Sequence, residues 1–248
     1  MNIDQKYPSV AEMEAAAYRR LPPFMRDYLF GALGGNVSRQ KNRDDLNAVE
    51  LMPRYLSDGT APDIRATLFG RAYDAPFGVA PVGLSGLIWP RAERILAAAA
   101  KRHNIPYALS TVATASLEDI RAIAGEHAWY QLYTPKQPEV VKHLLGRCEA
   151  VGYDTLLLTV DVPYETRREQ DIRSGLTVPP AFNARTVWQM VTHPEWAFAC
   201  WPRVFQVCQY QAVARDGLAR KTSPSPSRPP PSLCVGAWAG IFCRSALP

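Results

Sequence analysis

Short apolar runs alternate with helical repeats through the middle of the chain. Phe77-Gly78-Val79-Ala80-Pro81, Tyr107-Ala108-Leu109-Ser110, Ala128 to Leu132 and Thr155 to Thr159 read as buried strands. Between them lie helical patterns from Arg91 to His103, from a Ser116 cap to Ala124, and from Pro138 to Val151. Strands alternating with helices of this length predict βαβ units and a parallel sheet, the α/β class. Four units are visible, enough for a doubly wound sheet and half of a (β/α)8 barrel.

Before this pattern the chain is helical. Ser9-Val10-Ala11-Glu12 is a capping box for a helix that stops before Pro22-Pro23. A second helix is expected from Pro23 to Leu33, ended by Gly34-Gly35, and a third from Val37 to Val49. Strand-like pieces follow between Leu51 and Tyr73, broken at Pro53, Gly59 and Gly70. After Thr159 the pattern predicts a long polar loop to Asn183, then a helix from Thr186 to Val191. Past Ala199 it fails, and the run from Ser223 to Pro231 fits neither helix nor central strand. The expected organisation is one patterned domain over 1–199 and a Pro-, Ser-, Arg- and Cys-rich tail over 200–248.

The candidate chemistry sits where the strands end, because ligands of parallel α/β proteins bind at strand C-termini. After the first strand, Val82 and Gly83 lie in a loop with two glycines, which suits close approach of a flat ligand or a plain turn. Ser110-Thr111 follow the second strand, as loop caps or ligand donors. Gln131 and Tyr133 end the third and share one face, with Leu132 on the other. That pair suits a structural network as well as a ligand site. Thr159 and Asp161 end the fourth. Arg167-Arg168-Glu169 place guanidinium groups just beyond, either as a solvated loop or as a clamp for a carboxylate. None of the four histidines, His103, His127, His143 and His193, ends a strand, so each reads as a surface or packing residue.

Charge removes one class of partner. The net charge of +5 comes from residues 200–248, and residues 1–199 are formally neutral. With no basic stripe in the patterned part, nucleic acid is disfavoured. Cys148 reads as a core residue, and the four tail cysteines match neither a zinc site nor a compact disulfide framework. No transmembrane helix and no signal peptide are expected, which favours the cytoplasm.

Taken together, these residues resemble the FMN-dependent L-2-hydroxy-acid dehydrogenases and oxidases over about 12–199. The resemblance rests on Asp27-Tyr28, Leu51 to Leu56, Thr67-Leu68-Phe69-Gly70, Ala80 to Leu84, Leu109-Ser110-Thr111, Tyr130 to Tyr133, Leu158 to Pro163 and Arg167-Arg168-Glu169. The Pro-Val-Gly form and Val191 to Trp196 look most like the flavin-type L-lactate dehydrogenase branch. The resemblance implies the N-terminal half of a (β/α)8 TIM barrel preceded by helices, with FMN at the strand C-termini. It implies that Val82, Gly83, Ser110, Gln131 and Thr159 line the flavin. It also implies that Tyr28 and Arg168 hold the carboxylate of a small 2-hydroxy acid, and that Tyr133 stabilises charge at the substrate oxygen. A homo-oligomer and a site at the inner face of the cell membrane are further implications.

The family's proton-abstracting histidine, in Ser-Asn-His-Gly-Gly-Arg, and its phosphate loops belong to the second half of the barrel. They are not found in this sequence. The expectation is that the reading frame is lost near residue 200. Three readings stand: a flavoenzyme oxidising L-lactate, an inactive fragment keeping half a flavin site, and a small-ligand binding module. A four-strand half barrel is expected to leave two unpaired edges and an exposed apolar face, and so to dissolve poorly.

Overall fold

Ser9 opens the first long helix by accepting the Glu12 amide on its hydroxyl, at 3.3 Å, as the capping box predicts. The computed structural model describes residues 2–53, 55–56, 59, 61–135, 137–160, 168–175 and 183–200, and the backbone of 234–235 and 241–243. Asp161, Arg167 and the 223–231 run lie outside them. In chain order the helices are α1 (Ile3–Lys6), α2 (Val10–Arg20), α3 (Pro23–Phe30), α4 (Val37–Asn47), α5 (Ser85–Ile88), α6 (Ala92–Arg102), α7 (Leu117–Ala124), α8 (Pro138–Ala150), α9 (Glu169–Ser174) and α10 (Ala184–Val191). The strands are β1 (Ala66–Leu68), β2 (Arg71–Tyr73), β3 (Tyr107–Ser110), β4 (Ala128–Tyr133), β5 (Thr155–Thr159), β6 (Cys234–Val235) and β7 (Ile241–Cys243). The chain divides into two compact units, 1–62 with 166–204 and 63–165 with 205–248.

The first unit is helical. Leu21, Phe24, Met25, Met190 and Trp196 are buried in it, and the Phe24 and Trp196 rings meet edge to face at 5.4 Å. Gln189 is buried with them. Its carbonyl oxygen accepts the Phe24 amide at 3.0 Å, one of the orphan donors at the start of α3. Two expectations are corrected here. α3 ends at Phe30, before Gly34-Gly35, because Ala32 N–H goes to Asn36 Oδ1 at 2.8 Å instead of to a helical carbonyl. The polar stretch before Asn183 contains α9, closed by Gly175 in the left-handed conformation at φ 82°. α9 carries no apolar period, so its pattern did not announce it.

The second unit holds a sheet in the order β3-β4-β5-β7-β6. β3, β4 and β5 are parallel and occupy the expected positions, with β4 one residue longer. The expected first strand is a correction. Over 77–81 only Val79 bridges Tyr107, through amide bonds of 2.8 and 3.0 Å, and Phe77 is 63% exposed. It lies on the outer side of β3, so burial does not hold it as a strand.

One face of the parallel strands carries the main core. Tyr107, Leu109, Ala128, Tyr130 and Leu132 pack against Ala97 and Ala100 of α6, Leu117, Ile120 and Ala124 of α7, and Leu144 and Cys148 of α8. The other face carries Ala108, Trp129 and Leu157, and the β1–β2 hairpin covers them with Leu68 and Tyr73. Trp129 Nε1 donates to the Tyr73 hydroxyl at 3.3 Å. The hairpin turn is Phe69-Gly70, both at positive φ (51° and 78°), as the right-handed twist of a two-residue hairpin requires. Two further expectations change. The apolar layer at Trp129 is covered, and the outer edge of β5 pairs antiparallel with β7.

Two predictions arise from this packing. The Ser116 hydroxyl accepts the Asp119 amide at 3.1 Å and starts α7. Ser116→Ala should lower stability by about 1 kcal/mol in chemical denaturation. Burial pushes the Cys148 thiol up to about 12. It should therefore resist alkylation at neutral pH in the native chain and react only in denaturant, as mass spectrometry of labelled protein would show.

Candidate functional site

The face that carries Ala108, Trp129 and Leu157 turns polar two residues further along each strand. Ser110, Gln131 and Thr159 follow at the C-terminal ends, the same face by the two-residue period. Gln131 joins the three strands. Its Oε1 accepts the Ser110 hydroxyl at 3.0 Å and the Thr111 amide at 3.2 Å. Its Nε2 donates to Thr159 Oγ1 at 2.5 Å. The Thr111 amide can only donate, so it fixes which end of the Gln131 amide faces β3. Gln131 is 4% exposed, and among the described residues only one of its two Nε2 hydrogens has a partner. A buried donor in this state suits an acceptor on a ligand laid across the strand ends.

Thr111 extends the sheet past the end of β3. Its hydroxyl donates to the Gln131 carbonyl at 2.5 Å and accepts the Tyr133 amide at 3.0 Å. That side chain replaces a ladder rung and holds Tyr133 at the rim, where the residue is 42% exposed. The preceding loop supplies Val82, 40% exposed, and Gly83. Ser85 donates its hydroxyl to the Val82 carbonyl at 2.6 Å, and Leu84 donates its amide to the Val112 carbonyl at 3.0 Å. Gln131 thus joins Ser110 on one side to Thr159 on the other, and the Leu84–Val112 bond holds the Val82–Gly83 loop to the loop after β3.

Tyr28 and Arg168 meet in the helical unit. The Arg168 guanidinium stands 5.2 Å from the Tyr28 ring centroid. Its Nη2 donates to the carbonyls of Tyr28 and Gly31 at 3.0 and 3.3 Å, and its Nε pairs with Asp171 Oδ2 at 3.2 Å. Among the described residues its Nη1 makes no bond, and the side chain is 35% exposed. Burial pushes the Asp171 carboxyl up, with Arg168 pulling it down. Asp171 Oδ1 is buried with no partner among the described residues.

Sequence reasoning missed Thr111 as an anchor, Asp171 as the partner of Arg168, and Glu93, which is buried inside α6. Asp171 had a visible signal in its three-residue spacing from Arg168. Two of the histidines have structural partners. His127 reaches Asn104 Oδ1 at 2.9 Å and the Ala124 carbonyl at 3.2 Å, and His193 reaches the Gln189 carbonyl at 2.9 Å.

Comparison with known proteins places these features in a family. The family model "FMN-dependent dehydrogenase" matches residues 17–226. An L-lactate dehydrogenase of Xanthobacter autotrophicus is 38% identical over 190 residues, covering 77% of this chain and 49% of that protein. The crystal structure of the monotopic membrane protein (S)-mandelate dehydrogenase aligns with a TM-score of 0.70 at 30% identity, over 76% of this chain and 50% of that one. A mandelate oxidase variant with (S)-mandelic acid aligns with a TM-score of 0.65 at 35% identity, over 72% and 52%. The chain spans about half the length of the curated relatives it matches. The parallel strands and their helices correspond to the N-terminal part of a (β/α)8 barrel. Among the described residues no helix is long and apolar enough to cross a membrane. Sequence, fold and strand-end polarity agree, and the chain belongs to the FMN-dependent dehydrogenase family.

Proposed function

We propose that this chain provides the flavin-binding strand ends and a carboxylate clamp of an enzyme that oxidises an L-2-hydroxy acid, with L-lactate as substrate. The observation that carries the proposal is the buried Gln131 amide, which joins three parallel strand ends and keeps a donor for a ligand. The residues fit FMN. Ser110, Gln131 and Thr159 would hold it with hydroxyl and amide groups, and the Val82–Gly83 backbone would line it. Bound there, FMN would supply the two-electron chemistry that converts a hydroxy acid to an oxo acid.

The chain's own residues do the rest. Arg168 offers an unused fork edge to a carboxylate, and Tyr28 stacks beneath the guanidinium and steadies it. Tyr133 offers a phenol hydroxyl to an oxygen that gains negative charge. Solved mandelate oxidases include a Tyr→Phe variant with (S)-mandelic acid and an Arg→Leu variant with 2-hydroxy-phenylacetamide. The two positions are separated by the same interval as Tyr133 and Arg168, which supports the pairing of these roles. L-lactate is favoured over mandelate by the identity to L-lactate dehydrogenases. A cytoplasmic site, peripheral at the inner membrane face, fits the likeness to a monotopic dehydrogenase.

A second reading is binding without turnover. It is favoured by one observation: among the described residues no histidine stands at the C-terminal end of a strand. Anaerobic addition of L-lactate to the FMN-loaded chain separates the two. Bleaching of the flavin supports oxidation, and a flavin that binds but keeps its colour supports the second reading.

A further inference from the structure

Among the described residues of the second unit Glu93 is the most deeply buried carboxylate, at 1% exposure, and no role described so far uses it. It sits in the first turn of α6, where a negative charge is favoured by the helix dipole. Its Oε1 accepts three hydrogen bonds. Gly86 N–H donates at 2.9 Å, Thr114 N–H at 2.9 Å and the Thr114 hydroxyl at 2.8 Å. Gly86 is the second residue of α5, directly after the loop that carries Val82 and Gly83. Thr114 lies in the loop that begins with Thr111, after Ser110 ends β3. One side chain therefore ties together the two loops proposed to lie against the flavin.

The packing around this carboxylate leaves little tolerance. A Cβ on Gly86 would lie 2.0 Å from Thr114 Oγ1 and 3.0 Å from Glu93 Oε2. The two loops approach so closely that only glycine fits between them. The Leu84 amide to the Val112 carbonyl is the only other hydrogen bond between these loops among the described residues. Removing the carboxylate would strand two amides and a hydroxyl in a buried site, which favours separation of the loops.

We infer that Glu93 is a positioning residue that clamps the loops 81–86 and 110–114 in the spacing that receives the flavin. The inference rests on the flavin reading above. The clamp itself exists without ligand, so amide hydrogen exchange of the flavin-free chain tests it independently. In Glu93→Ala, exchange at Gly86 and Thr114 should rise by about tenfold or more. Amides of β4 should keep their rates. In Glu93→Gln the remaining carbonyl oxygen can accept the same donors, so exchange should stay within about threefold of the parent chain. FMN titration, followed by quenching of flavin fluorescence, should show binding about tenfold weaker in Glu93→Ala and near the parent value in Glu93→Gln.

Each outcome decides something. Unchanged exchange at Gly86 and Thr114 in Glu93→Ala overturns the clamp. Faster exchange with unchanged FMN affinity overturns the positioning role. A parent chain that exchanges as expected but binds no FMN overturns the flavin reading and, with it, the purpose assigned to the clamp. Should Glu93→Ala lose its fold by circular dichroism, Thr114→Val removes one of the three bonds and is expected to give a smaller rise confined to the same two loops. A rise spread over the whole sheet in that variant also contradicts the clamp.

Discussion

Replacing Gln131 by leucine is expected to weaken FMN binding by about two orders of magnitude while leaving the sheet assembled. Leucine keeps the volume but removes every hydrogen bond of the hub. The Ser110 hydroxyl, the Thr111 amide and Thr159 Oγ1 all lose a partner. The variant removes the Nε2 donor left for a ligand and the amide that orients the Ser110 and Thr159 hydroxyls; two hydrogen bonds to the flavin lost at about 1–1.5 kcal/mol each are enough for a roughly hundredfold change. The strand ladder is untouched, because β3–β4 and β4–β5 pairing runs through backbone groups. Fluorescence titration reads the affinity and circular dichroism the fold. Affinity within threefold of the parent would show that Gln131 is a structural residue only.

The second large effect concerns Arg168. Arg168→Met should raise the L-lactate concentration needed for half-saturation by about a hundredfold or more, since a lost charged hydrogen-bond pair is worth roughly 2–5 kcal/mol. FMN affinity should change little, because the role proposed for Arg168 is to hold the substrate carboxylate and not the flavin. Arg168→Lys should fall between, keeping charge but losing the planar fork that meets Tyr28 O, Gly31 O and Asp171 together. Perturbation of the oxidised flavin spectrum by the oxo acid, which presents the same carboxylate, measures this without turnover. An Arg168→Met chain that binds the oxo acid as tightly as the parent would contradict the clamp.

Much of the fold was legible because it is local. β3, α7 and β5 start and end where period and caps place them: Tyr107 to Ser110 is a buried apolar run, Ser116 caps its helix, and Thr155 to Thr159 follows a helix end. The features that escaped depend on distant partners. The 77–81 run has the composition of a strand but sits exposed on the outer side of β3 and bridges only at Val79. α3 stops early because Asn36 takes the amide that would extend it, and Arg168 takes the Tyr28 carbonyl. The β1–β2 pieces were visible as strands, yet their position over Trp129 arises from long-range packing.

The candidate site divides the same way. Alternation along β4 put Gln131 and Tyr133 on one face and Leu132 on the other, so the polar layer could be read before the structure. Which groups bind one another could not. Thr111 reads equally as a loop cap or a ligand donor, and its hydroxyl instead bridges Gln131 and Tyr133. Nothing in the helical pattern singles out Glu93, and only its burial against Gly86 and Thr114 distinguishes it.

The central claim is that the strand ends of β3, β4 and β5, with the loop before them, receive FMN. Hydrogen exchange of the full chain with and without FMN tests it most directly. The account predicts slower exchange on adding FMN at 82–86, 110–114 and 131–133, with the helical amides of α7 and α8 unchanged. FMN-dependent protection confined to other segments, or none at saturating FMN, would contradict it.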